Sequence, residues 1–380
     1  MEHFDVIVLG GGPGGYLAAE RAAQAGFATA LIEQKELGGT CLNEGCVPTK
    51  SLLFCAKQYA HALHGTDFGT TVEGAFYSHE AALKRKDQVV KRLVRGVAAS
   101  MKANGVCVFQ AVGTLRGKAD TGEFLVAAGD KSLTASRIIL ATGSNAVVPP
   151  IPGVREGLEA GFVLTNREIL ALHDAPKTLC CIGGGVIGLE AAYMLVEQGL
   201  SVTVLETAPY LMPRLLDESC ARYLQSRITA FQIHTGVKVL GMRGDTRVQF
   251  VEGEGMDPIP AGLVIVSCGV RANSEVFQKA GGTVERAIVV DEQMRTNLPD
   301  VFACGDCAQY RGLNTALWAQ ATLQGRVAGA NAAGRTMAYH GSDSALVLNC
   351  PEFSLYSDGD CGKRPDALYE AEPVVRRRQA

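Results

Sequence analysis

The chain has 380 residues, 47% of them hydrophobic, and a formal net charge of −3; at roughly 100–200 residues per domain this is enough for two or three globular domains. Near-neutral charge and a sequence pI of about 6.2 argue against the phosphate-neutralising surface of a nucleic-acid binder, and the Arg376-Arg377-Arg378 run reads as a solvated tail. No stretch reaches the ~18 uninterrupted apolar residues that a membrane helix requires.

The opening apolar run at 4–9 follows acidic Glu2 and leads into glycines, so it reads as a buried strand rather than a secretory leader, and the expected location is the cytoplasm. Residues 4–33 continue as strand, glycine turn, apolar-periodic helix (16–25) and second strand. Gly10, Gly12 and Gly15 form G-x-G-x-x-G between that strand and helix, the context that aims a helix N-terminus at a pyrophosphate. Glu33 closes the second strand, about 20 residues on, where an acid accepts a ribose hydroxyl.

The segment Gly38-Gly39-Thr40-Cys41-Leu42-Asn43-Glu44-Gly45-Cys46-Val47-Pro48-Thr49-Lys50 comes next. In an ideal α-helix, residues five apart have Cα atoms about 8–9 Å apart, beyond the ~7 Å limit for a disulfide. A bond between Cys41 and Cys46 therefore needs a distorted turn, which Gly45 makes cheap, and a strained pair tends to be redox-labile. Inert thiols and metal ligation are the competing readings, although no nearby His or Cys group completes four ligands. Of the twelve cysteines, Cys107, Cys180, Cys181 and Cys268 sit in apolar runs as small hydrophobes.

Farther along, 78–104 has helical periodicity, 106–115 and 123–128 read as strands, and 137–141 is a buried strand ending at Thr142-Gly143-Ser144. Proline-rich 147–152 is a linker. Residues 178–206 repeat the first pattern, with Gly183, Gly185 and Gly188 before a helix at 189–198 and Glu206 as the strand-end acid. That carboxylate repels a 2′-phosphate and 207–213 offer no arginine, so NAD(H) is expected over NADP(H). A strand at 263–267, the run Gly269-Val270-Arg271-Ala272-Asn273, a strand at 301–303 leading into Gly305-Asp306 and a helix at 317–333 follow. From Met337 the pattern weakens.

On these residues the chain resembles the pyridine nucleotide-disulfide oxidoreductases, the family of dihydrolipoamide dehydrogenase and glutathione reductase, from about residue 4 to 306. The resemblance implies an α/β fold of two Rossmann-like domains. An FAD-binding domain comprises 1–147 and 271–335, an NAD-binding domain at 148–270 is inserted in it, and 336–380 form a short C-terminal extension. It implies that Cys46 faces the flavin as a charge-transfer thiolate, that Cys41 attacks the substrate disulfide, and that Lys50 and Glu190 pair beside flavin N5. It also implies FAD contacts from Thr40, Lys50, Thr142, Gly143 and Asp306, an adenine approach at Gly113 and a nicotinamide nucleotide approach at Gly269.

The expected activity passes electrons between NADH, FAD and the Cys41/Cys46 disulfide to a small or protein-bound disulfide. An NADH oxidase or diaphorase reducing oxygen, quinone or metal, and a flavin-binding component without its own turnover, are the alternatives. The segment 312–334 is similar to that of NADH oxidases and coenzyme A-disulfide reductases. The family's C-terminal interface domain and its His-Glu pair find no match: His340 precedes Gly341-Ser342-Asp343 and reads as a loop histidine. A homodimer or a partner subunit is expected to stand in for that domain. Cys304/Cys307 in C-x-x-C spacing belong to the FAD loop, and Cys350 with Cys361 form a candidate C-terminal shuttle.

Overall fold

The structure is a computed structural model that describes residues 1–196, 198–244, 248–341 and 346–357. In chain order, β1 (Glu2–Leu9), α1 (Pro13–Gln24) and β2 (Thr29–Glu33) lead to α2 (Gly39–Asn43), α3 (Cys46–Leu63) and the long α4 (His79–Ala103). Then come β3 (Cys107–Gln110), β4 (Gly113–Lys118), β5 (Phe124–Ala128), β6 (Lys131–Leu140) and β7 (Ser144–Ala146). The next stretch holds α5 (Val154–Ala160), β8 (Val163–Leu164), β9 (Thr178–Ile182), α6 (Val186–Val196), β10 (Ser201–Glu206), α7 (Glu218–Arg227) and β11 (Gln232–Thr235). It continues through β12 (Val239–Arg243), β13 (Phe250–Gly253), β14 (Ile259–Pro260), β15 (Leu263–Val266) and β16 (Val270–Ala272). The remainder is α8 (Glu275–Lys279), β17 (Ile288–Val290), β18 (Val301–Ala303), β19 (Ala308–Tyr310), α9 (Trp318–Ala332), β20 (Leu346–Asn349) and β21 (Ser354–Ser357).

Two sheets organise the molecule. The first runs β3-β2-β1-β6-β5-β4, and β18 joins β6 in parallel at Val301↔Ile138. The central stretches of its parallel strands, 6–9 of β1, 30–32 of β2 and 138–140 of β6, are wholly apolar, as segments covered on both faces must be. The second sheet, β11-β10-β9-β15-β8, is parallel throughout. One of its faces packs on α6, α7 and residues Leu52, Leu53, Ala82 and Leu83 of α3 and α4. The other packs on the antiparallel sheet β12-β13-β14 and on α5. Because β18 returns to the first sheet after the second is complete, the second nucleotide fold is inserted in the first. The two crossings of the chain pair with each other as an antiparallel ribbon, β7 with β16, at Ser144↔Ala272 and Ala146↔Val270.

Helices α1 and α9 meet through small residues. A Cβ on Gly325 would lie 2.2 Å from the Gly14 carbonyl oxygen, and one on Gly329 2.3 Å from that of Ala18, so backbone contacts backbone and no larger side chain fits. The helix expected at 78–104 is α4, with the Ser78 hydroxyl accepting from Ala81 N at 3.3 Å. The single strand expected at 106–115 is two: β3 pairs parallel with β2, and after a break at Ala111-Val112 β4 pairs antiparallel with β5. Hydrophobic alternation carries no mark of a change of partner. Likewise 137–141 is only the inner half of β6, whose outer half alternates polar and apolar residues against β5.

The weakly patterned C-terminus contains a hairpin, β20 with β21, whose Leu348 and Cys350 are buried against the second sheet's helices. Cys361 and Arg376-Arg377-Arg378 lie outside the described residues. Among the described residues no helix is long and apolar enough to cross a membrane.

Candidate functional site

The two glycine turns have the same construction. Gly10 N donates to Ile32 O and Gly183 N to Leu205 O, both at 2.8 Å. The strand-end acids are pinned alike: Glu33 accepts from Gly11 N at 2.7 Å and Lys35 N at 2.8 Å, and Glu206 accepts from Gly184 N at 2.7 Å and Ala208 N at 2.8 Å. The last glycine of each fingerprint is demanded by packing, since a Cβ on Gly15 would lie 1.8 Å from Gly10 O and one on Gly188 2.0 Å from Gly183 O. The middle glycine is not. A Cβ on Gly12 would meet nothing nearer than Gly39 Cα at 3.8 Å, and one on Gly185 nothing within 4 Å. These openings at the N-termini of α1 and α6 are what a pyrophosphate requires, so the residues fit two dinucleotides.

The redox segment starts against the first of these cradles. Gly38 N donates to Gly11 O at 2.8 Å, and a Cβ on Gly39, whose φ is +57°, would lie 2.6 Å from Gly12 Cα. Cys41 then lies in α2 and Cys46 opens α3, with the helical path broken at Glu44-Gly45, where Gly45 has φ −152° and ψ −116°. That break is the distortion the spacing demanded. The two thiols perturb each other and are unequal. Cys46 is lowered to about 7, chiefly because the Cys41 thiol donates to it, with help from Lys50 and the backbone N–H at the start of α3. Cys41 is pushed far up by that same hydrogen bond and by burial. Cys46 is therefore the thiol of the pair that ionises first.

One helical turn beyond Cys46, Lys50 Nζ lies 2.7 Å from Glu190 Oε1 of α6, joining the redox helix to the second nucleotide fold. Glu190 is 4% exposed, and burial raises its carboxyl despite the ammonium beside it. Asp306 lies beside the β7 end of the ribbon, where its carboxylate accepts from Ser144 Oγ at 2.8 Å. Burial raises it as well.

The other expected contacts divide. Gly143 (φ +71°) and Gly269 (φ +98°) have open space where a Cβ would be, which suits close approach of a ligand. Thr40 is exposed on α2. Thr142 Oγ1 donates to Asn273 O at 2.6 Å and so serves the ribbon. At Gly113 a Cβ would lie 2.7 Å from Leu9 Cδ2 and 3.1 Å from Ile32 Cγ2, so packing alone accounts for that glycine. Cys304 and Cys307 are fully buried, and His340 is exposed. Sequence reasoning missed Ser144, Asn145, Asn273, Arg167 and the role of Glu44. Only Glu44 carries a local signal, a charge inside a short glycine-bounded turn. Among the described residues no group of three or more metal-ligating side chains forms.

Two dinucleotide cradles with a polarised dithiol turn tied to both define a flavin-dependent disulfide oxidoreductase. A sequence model of the pyridine nucleotide-disulphide oxidoreductases matches residues 4–334. Dihydrolipoyl dehydrogenase of Acholeplasma laidlawii is 38% identical over 308 residues, 80% of this chain and 90% of that protein. The corresponding enzyme of Chlamydia trachomatis is 35% identical over 344 residues, 88% of this chain and 71% of that one. The chain belongs to the pyridine nucleotide-disulphide oxidoreductase family. Its fold is shared with the HOCl-induced flavoprotein disulfide reductase RclA of Escherichia coli, solved as a Cu(II) complex, at a TM-score of 0.75 and 24% identity over 92% of this chain and 75% of that one.

Proposed function

We propose that this chain is an FAD-containing NADH:disulfide oxidoreductase of the dihydrolipoyl dehydrogenase type, acting on a small or protein-bound disulfide. The observation that carries the reading is the placement of the pair: Cys41 in α2 and Cys46 at the start of α3, on either side of the Glu44-Gly45 break and tied to the first cradle by Gly38 N and Gly11 O. We assign 1–147 and 271–335 to FAD and 148–270 to NAD(H). The division rests on the β7–β16 ribbon and the return of β18 to the first sheet. Gly10, Gly12, Gly15 and Glu33 would hold the flavin nucleotide, with Asp306 and Gly143 nearer its ring end. Gly183, Gly185, Gly188 and Glu206 would hold NAD(H), with Gly269 lining the approach.

Bound FAD supplies the two-electron chemistry that links a hydride donor to a disulfide. The chain's own groups do the rest. Lys50, braced by buried Glu190, places positive charge near the pair and favours the thiolate. As the Cys41 sulfur attacks one sulfur of the acceptor disulfide, its proton passes to Cys46 and one acceptor thiolate leaves. That thiolate takes the proton, and Cys46 then attacks the Cys41 sulfur. The Cys41–Cys46 disulfide closes, and the second acceptor thiolate takes a proton from solvent. A second copy of the chain, or a partner subunit, is proposed to cover the Cys41 side, and sedimentation tests that assembly.

Anaerobic titration of the flavin-loaded protein with NADH, with free thiols counted at each step, tests the reading. Four electrons taken up per flavin and two new thiols, both lost in Cys41→Ser, are expected. Two electrons per flavin with no new thiol would overturn the relay and leave an oxidase or diaphorase.

A further inference from the structure

The weak point of the redox segment is its middle. α2 has five residues, too few to hold its own shape in water, because a helix gains little until several turns propagate. Two residues beyond its end, Gly45 is a hinge without a side chain. The spacing between the two sulfurs must therefore be imposed from outside the turn, and Glu44, the residue that caps α2, is where the turn is tied. Its carboxylate takes Lys35 Nζ on one oxygen at 2.9 Å and Arg167 Nε on the other at 2.6 Å. Its main-chain oxygen accepts from Asn166 Nδ2 at 2.8 Å.

Lys35 and Arg167 are themselves fixed, each to a different part of the molecule. The backbone N–H of Lys35 is held by Glu33, the strand-end acid of the first cradle, at 2.8 Å. Asn166 and Arg167 follow β8 of the second sheet. Arg167 also donates to Asn145 Oδ1 at 3.0 Å, and Asn145 Nδ2 donates to Asn273 Oδ1 at 2.7 Å. Asn145 lies in β7 and Asn273 directly follows β16, so the network reaches both crossings between the two nucleotide folds. Such a network holds geometry better than an isolated surface ion pair, since its members limit one another's rotamers.

We propose that Glu44 and Arg167 are positioning residues. They form an interdomain clamp that holds the Gly45 break closed enough for Cys41 to reach Cys46, and they tie that spacing to the relative placement of the two nucleotide folds. The proposal rests on the disulfide relay of the preceding section. Its physical consequence is a high effective concentration of one sulfur at the other. Loss of the clamp lowers that concentration and disfavours the intramolecular disulfide, without touching either sulfur.

The test equilibrates the flavin-loaded protein with buffers of reduced and oxidised dithiothreitol and reads the Cys41/Cys46 dithiol fraction by thiol labelling and mass spectrometry. Glu44→Ala and Arg167→Ala should each make the pair easier to reduce by about five- to tenfold, the scale on which a loosened tether changes effective concentration. The double variant should shift no further than either single one, as residues acting through one contact do. Glu44→Gln, which can still accept from Arg167, should recover most of the parental value. The flavin spectrum and Tm should stay close to parental in all four, which separates positioning from general damage. Single variants within twofold of the parent, or singles whose effects add in the double variant, would overturn the clamp while the relay stands. A parent protein with no dithiothreitol-dependent change at Cys41 and Cys46 would overturn the relay and the clamp with it.

Discussion

At Cys46 a single sulfur gathers three influences that each favour its anion: the Cys41 thiol donor, the Lys50 ammonium and the N–H groups at the start of α3. Its lowered value near 7 means that in the reduced protein the thiolate fills in as pH rises through about 7 and is lost below it. Thiolate ultraviolet absorbance of the reduced protein should follow that titration and vanish in Cys46→Ser. Replacing Lys50 by Met removes an attraction for the anion and should move the midpoint to higher pH. An unchanged midpoint would show that the Cys41 hydrogen bond acts alone. At this scale much was legible, because the fingerprint glycines, the strand-end acids and the cysteine spacing are local facts. Ser144 and Asn273 were not, since each matters only through a partner distant in the chain.

Among the elements, the β20–β21 hairpin shows how a short segment without strong periodicity is held. Glu352 in its turn accepts from Tyr193 Oη at 2.6 Å and from Thr229 N at 3.1 Å, with Thr229 Oγ1 and Ala230 N also donating to it. Burial works against the carboxylate, but hydrogen bonds from Thr229 and Tyr193 outweigh it and hold the group below the usual range. Its folded value lies below its unfolded one. The stabilisation is therefore complete above the ordinary glutamate range and is lost as pH falls through the depressed value. Glu352→Ala should loosen the hairpin by about 1–3 kcal/mol, the cost of leaving charge-accepting donors unpaired. Cys350, only 2% exposed, should then react with a thiol reagent many times faster, and Cys350 labelling that stays at the parental rate would show that apolar packing alone holds the hairpin. The sequence marked α4 and α9 clearly because they are long and periodic or capped. It marked neither this hairpin nor the β3–β4 break, where pairing partners decide the structure.

Over the whole molecule, two nucleotide folds share one chain through a two-stranded ribbon, and the redox turn leans on both. A ligand that binds only the folded state stabilises it by about 2.7 kcal/mol at a hundredfold excess over its Kd. Stripping the flavin should therefore lower Tm and raise amide exchange first in β1, α1 and α2, whose glycine turn and redox turn touch at Gly12 and Gly39. The second sheet should lose less, and added NAD should protect it instead. Equal loss of protection in both folds would mean that the ribbon and the Lys50–Glu190 pair make them one cooperative unit.

The sequence by itself determined the nucleotide cradles, the redox pair and the α/β class, because each depends on residue types at short spacing: glycine before a helix, an acid at a strand end, sulfur beside a flexible residue. Tertiary structure alone decided the rest. It broke the helical path at Glu44-Gly45, between the two cysteines. It set Lys50 against Glu190, 140 positions apart. It also joined Glu44 to Arg167, because side chains from opposite domains meet only after both sheets have formed and the ribbon between them has closed.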